Sequence, residues 1–193
     1  MNTQTVTVNV ATAGTLAVLI DALKQPQISR LKITGVLNGT DIRFLRELLG
    51  SGVHGYATSG SLGSLDLSEA RFVEGGFCYY ASSLSRYFYS RENEISDNMF
   101  FGCTSLSSII LPYNLSSIGE KAFWECRNLS EIHCASETPP ALKPGWFWSV
   151  GYSACKLYVP SGTLDVYRSA PLWGNFENVA EKPVLEMAFL NKI

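Results

Sequence analysis

The residues able to carry covalent or metal chemistry in this 193-residue chain are few: Cys78, Cys103, Cys126, Cys134, Cys155, and two histidines, His54 and His133. An odd cysteine count without a CxxC pair argues against a disulfide framework and against a zinc site. His133 and Cys134 are adjacent, and adjacent residues of a strand point to opposite faces, so they do not converge on one metal ion. A thiol–imidazole pair would need one of the two histidines beside a reactive thiol. His54 is remote from the repeats described below, and the thiols near His133 read as buried. The stretch GYSAC at 151–155 lacks the glycine pattern of a nucleophile elbow. Acidic residues are common, but spacing singles out no carboxylate pair. These residues predict a protein that is not an enzyme, with no catalytic residues, metal ligands or cofactor.

Charge narrows the partners. The formal net charge is −2, and basic and acidic residues are scattered, so no basic stripe offers to neutralise several phosphates. Nucleic acid is therefore not an expected partner. No apolar run approaches the length of a transmembrane span. Residues Met1 to Gly14 alternate apolar and polar side chains and do not read as an export signal.

What positions the side chains is an internal repeat. Phe77, Phe100, Phe123 and Phe147 recur at spacings of 23, 23 and 24, and so do Phe72, Ile95, Ile118 and Leu142 five residues before each. Downstream stand Leu84, Leu106, Leu129 and Ala154, each followed at +3 and +5 by an apolar or aromatic residue: Tyr87 and Tyr89, Ile109 and Leu111, Ile132 and Cys134, Leu157 and Val159. The motif LxxIxL alternates at its end and reads as a short strand with one buried face. One copy is too small to bury its own apolar side, so copies must stack and share a core, their strands pairing in parallel at about 4.8 Å. Leu62, Leu65 and Leu67 extend the strand motif one copy back, and Ile28, Leu31 and Ile33 fit it again.

The flanks read as caps. Leu16, Leu19, Ile20 and Leu23 fall at helical spacing, and a second helix is expected over 41–49, started by Thr40 or Asp41 and ended by Gly50. After Val159-Pro160, Ser161 starts a short helix carrying Leu164 and Tyr167, and Trp173, Phe176 and Val179 cover the end of the stack. The apolar tail 183–193, with Val184, Leu185, Met187, Phe189 and Leu190, packs on that cap or mediates self-association. The expected fold is an α/β leucine-rich-repeat solenoid with a short parallel β-sheet on one face and irregular or short-helical return limbs. Residues 1–60 form a helical N-terminal cap, 61–159 about five rungs, and 160–193 a C-terminal cap and tail.

The copies SIGEKAFWECRNLSEI and MFFGCTSLSSIILP resemble the repeat of the BspA-like leucine-rich-repeat proteins, known from surface proteins of Bacteroides-type bacteria and some protozoa. TPPALKPGWFW and CKLYVPSGTLDVYRSAPLWGNFENV are similar to that family's last repeat and C-terminal cap. GTLAVLI, LKITGVLNGTDIRFLREL and LGSLDLSEARFVEGG resemble an N-terminal region of many Bacteroides members. The resemblance covers roughly residues 10–180 and implies a secreted or cell-surface protein that adheres to other proteins, with no catalytic residues to carry over. Two departures stand out. Ala81 and Val150 replace the usual cysteine, and the copy Phe72–Tyr89 is aromatic-rich where leucine and isoleucine are usual.

Several side chains remain for a site. Cys103 and Cys126 share one repeat position with Ala81 and Val150, which reads as a narrow buried slot for small side chains. A disulfide between the two rungs is allowed by distance but demands strict geometry. On the strands, the residues between the core positions face outward: Asp66, Phe88, Ile110, His133 and Tyr158 at +4, and Ser64, Arg86, Ser108, Glu131 and Lys156 at +2. One column is largely apolar or aromatic and the other polar and charged, the mixture that protein interfaces favour. Asp66, Arg86, Phe88, Ile110, Glu131, His133, Lys156 and Tyr158 are thus the candidate partner-binding face. The same composition also fits a face covered by a cap, the tail or another chain. Trp124, Trp146 and Trp148 flank the return-limb phenylalanines and open the alternative of a carbohydrate-binding module, with a glycan as partner.

Overall fold

The computed structural model describes residues 5–24, 27–147 and 150–183. The chain opens with strand β1 (Val6–Val10), helix α1 (Leu16–Ala22), strand β2 (Arg30–Leu37) and helix α2 (Gly39–Leu48). Apolar residues at helical spacing bury Leu16 and Ile20 of α1, and Ile42 and Leu45 of α2, against the strands. The N-cap of α2 is Asn38, not Thr40 or Asp41: its side chain accepts from Thr40 N at 3.0 Å, and Asp41 returns the bond to Asn38 N at 3.0 Å. Asp41 is itself buried and also accepts from Gly14 N at 2.6 Å and Leu16 N at 2.9 Å, so one carboxylate caps both helices.

Strands β3 (Ser64–Asp66) and β4 (Ala70–Phe72) follow, then the hairpin β5 (Tyr80–Ala81) and β6 (Tyr87–Phe88). Beyond it come β7 (Glu94–Ile95), β8 (Ser108–Leu111), β9 (Ser117–Ile118), β10 (Glu131–Cys134), β11 (Ala141–Leu142) and β12 (Lys156–Pro160). Helix α3 (Leu164–Ser169), a single 3-10 turn at Trp173–Asn175 and strand β13 (Asn178–Lys182) complete the described chain. The main sheet runs β1-β2-β3-β8-β10-β12-β13, with β4 continuing beside β2, and its pairs are parallel. Val6, Leu31, Leu65, Ile109, Ile132, Leu157 and Val179 stand in register as one inward ladder. Each buried ladder side chain contributes roughly 1.5–3 kcal/mol of apolar burial. On the return side, β7, β9 and β11 form a second parallel sheet that aligns Ile95, Ile118 and Leu142.

The copy Phe72–Tyr89 departs from the expected repeat. Strand β3 pairs directly with β8, and the segment between them leaves the stack as the antiparallel β5–β6 hairpin. Leu84, expected in the core, is 80% exposed, and Phe77, Tyr87 and Tyr89 are exposed as well. The chain is deflected at Gly75-Gly76, where Gly75 O accepts from Gly39 N at 3.0 Å and so docks on the start of α2. Gly76 has φ +72°, and a Cβ there would stand 2.6 Å from both Asn38 Oδ1 and Thr40 Oγ1, so the turn requires glycine.

The aromatic ladder also differs from the expected one by a residue. Phe100 stacks on Phe123 at 5.4 Å, and Phe123 meets Trp146, not Phe147, at 6.0 Å. Trp146 continues onto Trp173 at 5.6 Å, whose indole N–H donates to Pro140 O at 2.8 Å. Phe147 is buried beside it against Tyr152 and Phe176. Helix α3 begins after Thr163 rather than at Ser161, and Glu181 from β13 accepts from Gly162 N and Leu164 N at its start. The expectations for Trp148 and for the tail beyond Pro183 lie outside the described residues.

The N-terminal helices are fastened to the repeats by a buried cation. Arg46 of α2 is fully buried and donates to Asn98 O, Met99 O, Phe101 O, Gly52 O and the Ser51 hydroxyl at 2.9–3.2 Å. Its guanidinium also lies 5.0 Å from the centre of the Tyr80 ring.

Candidate protein-binding face

The outward side of the main sheet is set by strand register. At one level stand Lys32, Asp66, Ile110, His133, Tyr158 and Ala180. At the level two residues earlier stand Arg30, Ser64, Ser108, Glu131, Lys156 and Asn178. The sheet brings together six of the eight expected residues. Arg86 and Phe88 are not among them, because both sit on the excluded hairpin: Arg86 is exposed there, and Phe88 packs on Tyr80 at 5.6 Å.

The first column is closed, contrary to its reading as an exposed contact surface. His133 is 0% exposed, Ile110 4% and Tyr158 8%, and Asp66 is buried too. His133 stacks on Tyr158 at 4.4 Å and 14°, and Lys182 Nζ stands 3.6 Å from the centre of the Tyr158 ring. Burial lowers the His133 pKa to about 4, helped by the charge of Lys182 and opposed by Glu131, whose carboxylate is 3.4 Å from Nε2. At the other end Asp66 is raised by burial, against the hydrogen bonds of Ser68 and the charge of Lys32. Burial works against the Lys32 ammonium, yet its 2.6 Å bond to Glu69 and the nearby Asp66 carboxylate raise its pKa.

The second column is the accessible one. Arg30, Ser64, Ser108, Glu131 and Ile110, with Ser29, Gly63 and Ser107, line a cleft of about 340 Å³. Side chains arrive here at the strand spacing of about 4.8 Å, two central hydroxyls, Ser64 and Ser108, flanked by the charges of Arg30 on one side and Glu131 and Lys156 on the other. This polar cleft was only half visible in the sequence: Ser64, Ser108 and Glu131 follow from the repeat, whereas Arg30 enters because β2 joins the same sheet.

The groups with intrinsic chemistry are otherwise engaged. Cys103, Cys126, Cys134 and Cys155 are buried and all five cysteines are free thiols, so no bond joins Cys103 and Cys126. Burial pushes Cys103 and Cys134 up to about 11 and Cys155 to about 12, and raises Cys126 well above its ordinary value. Thiols so shifted are poor nucleophiles at neutral pH. Among the described residues no group of three histidine, cysteine or carboxylate side chains is placed to hold a metal ion, and no helix is long and apolar enough to cross a membrane. Of the tryptophans considered for sugar stacking, Trp146 is fully buried, and Trp124 is half-buried with Lys121 Nζ 5.1 Å from its ring centre.

In comparison with known families, residues 57–148 match the model of the BspA type leucine rich repeat region, in 6 copies. No curated protein matches the chain.

Proposed function

We propose that the chain, whose residues 57–148 match the model of the BspA type leucine rich repeat region, is a non-enzymatic module that binds a protein partner through the outward face of its main sheet. In this reading the protein is secreted or displayed on a bacterial cell surface, and its partner is an adhesion target such as a host matrix or surface protein. The repeats over 61–159 supply most of the face, β2 adds Arg30 from the segment before them, and the described parts of the two flanking segments close the ends of the solenoid. One observation carries the reading: Arg30, Ser64, Ser108, Glu131 and Lys156 present one polar side chain per strand, and a cleft of about 340 Å³ runs along most of them. Such a row offers donors and acceptors of both charge signs over a rigid floor, which favours specific docking at low ordering cost.

The test is binding of the purified chain to immobilised extracellular-matrix proteins, with Glu131→Lys and Lys156→Glu compared to the wild type. Selective capture of one matrix protein by the wild type, weakened by both charge reversals, is the expected result. Equal capture by all three proteins would move the site off this face.

A further inference from the structure

The hairpin expelled from the repeat stack creates a second site. Phe88 faces back onto Tyr80, Tyr80 onto Phe101 at 5.2 Å, and Arg46 onto the other side of this cluster. Residues two apart in a strand share a face, so the anchored Phe88 leaves Tyr87 and Tyr89 pointing the other way. They are 59% and 54% exposed. The base of the hairpin is tied by Ser90 Oγ to Val73 O at 2.8 Å, so both rings are carried on a held strand rather than a loose loop.

Beside them lies a cleft of about 420 Å³ whose floor comes from the return-limb sheet. Asp97 and Glu120 stand two residues past Ile95 and Ile118 in successive rungs, and Lys143 follows Leu142 directly in the next, so the three lie side by side just past β7, β9 and β11. Lys143 Nζ donates to Asp97 Oδ1 at 3.1 Å, and Glu120 N donates to the same oxygen at 2.8 Å. Lys143 also walls a second cleft of about 530 Å³, lined by Glu120 and Trp124. The two clefts therefore adjoin at Lys143. Together they make a groove with tyrosines at one end, an indole at the other, and a charged ladder between.

We propose that this groove binds a neutral oligosaccharide. The exposed tyrosine rings, and the half-buried Trp124 indole at the far end, offer flat faces to the C–H side of a sugar ring while keeping a polar edge in water. Carboxylate, ammonium and guanidinium groups between them supply the planar and multidentate hydrogen bonding that vicinal hydroxyls require. Glu74, Glu94, Asp97 and Glu120 are nearly balanced by Arg91, Lys121 and Lys143, so the groove neither attracts nor repels a strongly charged chain. A polyanionic glycan is disfavoured by the acidic residues, and an apolar peptide finds no continuous greasy floor. The site is separate from the main-sheet face, on the return-limb side and the hairpin.

Titration calorimetry of the intact chain with cellohexaose, mannohexaose and chitohexaose, and with a heparin hexasaccharide as the charged arm, tests the proposal. The expected result is binding of at least one neutral hexasaccharide, weakened about tenfold by Tyr87→Ala or by Tyr89→Ala, largely kept by the phenylalanine variants, and untouched by Lys156→Glu. Absence of binding to all three neutral sugars, preference for heparin, or undiminished, wild-type binding by both alanine variants would overturn it. Capture of a protein partner that is lost in the same alanine variants, without any sugar binding, would reassign the groove to protein.

Discussion

Arg46 is where the N-terminal helices and the repeats depend on each other most heavily, and its removal is predicted to be among the costliest single changes in the chain. The guanidinium is fully buried and forms no ion pair with a carboxylate among the described residues; its charge is met by four backbone carbonyls and one hydroxyl. In Arg46→Met the aliphatic stem is kept and all five acceptors lose their donor. Each net bond is worth about 1 kcal/mol, more where the donor is charged, and the stranded carbonyls keep their desolvation penalty. Relief of the guanidinium's own desolvation offsets part of this, leaving an expected loss of about 3–5 kcal/mol. Arg46→Lys should lose about 2 kcal/mol, since one ammonium offers three protons and cannot span five acceptors. Tyr80→Leu, which removes only the ring beneath the cation, should cost about 1 kcal/mol. Urea unfolding followed by far-UV circular dichroism reads all three variants. An Arg46→Met protein within 1 kcal/mol of wild type, with an unchanged denaturant slope, would show that the carbonyl cluster is satisfied without the cation and would refute the reasoning.

Other perturbations follow from the same geometry. Because His133 has a folded pKa of about 4 against 6.5 when unfolded, the unfolded state takes up the proton first as pH falls. Stability contributed by neutral His133 is therefore full above pH 6.5 and declines between 6.5 and 4, by about 3 kcal/mol in total. Unfolding free energies measured at pH 7.5 and 4.5 should differ less in His133→Gln by most of that amount, and an identical pH dependence would deny the histidine its buried, neutral state. Asp41→Ala strips acceptors from Gly14, Leu16 and Asn38 and should cost about 3 kcal/mol, read as a lowered thermal midpoint. Leu84→Ser should change stability by less than about 0.5 kcal/mol, whereas Leu106→Ala, at the equivalent place by spacing, should cost about 2–5 kcal/mol. Similar losses for the two would return Leu84 to the core.

Inward positions were legible because the physics behind them is strictly periodic. Ile109, Ile132 and Leu157 recur at nearly constant spacing because each must meet its counterpart on the next strand, and the structure holds them in register. The aromatic ladder was read one residue late at Trp146, where three aromatics in a row left spacing unable to choose among them. The hairpin was harder. Leu84, Tyr87 and Tyr89 satisfy the strand motif by residue type, yet spacing does not say which strand a segment pairs with. The glycine pair at 75–76 and the run of aromatics were the available signals that this copy leaves the stack. Arg46 had no local signature, since three of its acceptors lie more than fifty residues away and are backbone carbonyls.

The outward column teaches the opposite inference from the one its composition invites. Large side chains at Ile110, His133 and Tyr158 look like a contact surface held open for a partner. A solvent-facing strand position that holds an isoleucine, a histidine with its pKa driven down by burial, and a stacked tyrosine is one from which water is already excluded. Hydroxyls and charges one level away, at Ser64, Ser108 and Glu131, mark where water, and hence a partner, has access. In a parallel repeat sheet each level is a continuous strip, so its residue types report whether the strip is wet before they report what it binds. The exposed tyrosines of the hairpin meet that criterion in reverse. They are aromatic, wet and held in place by Phe88 and Ser90, a state that apolar burial alone would not maintain.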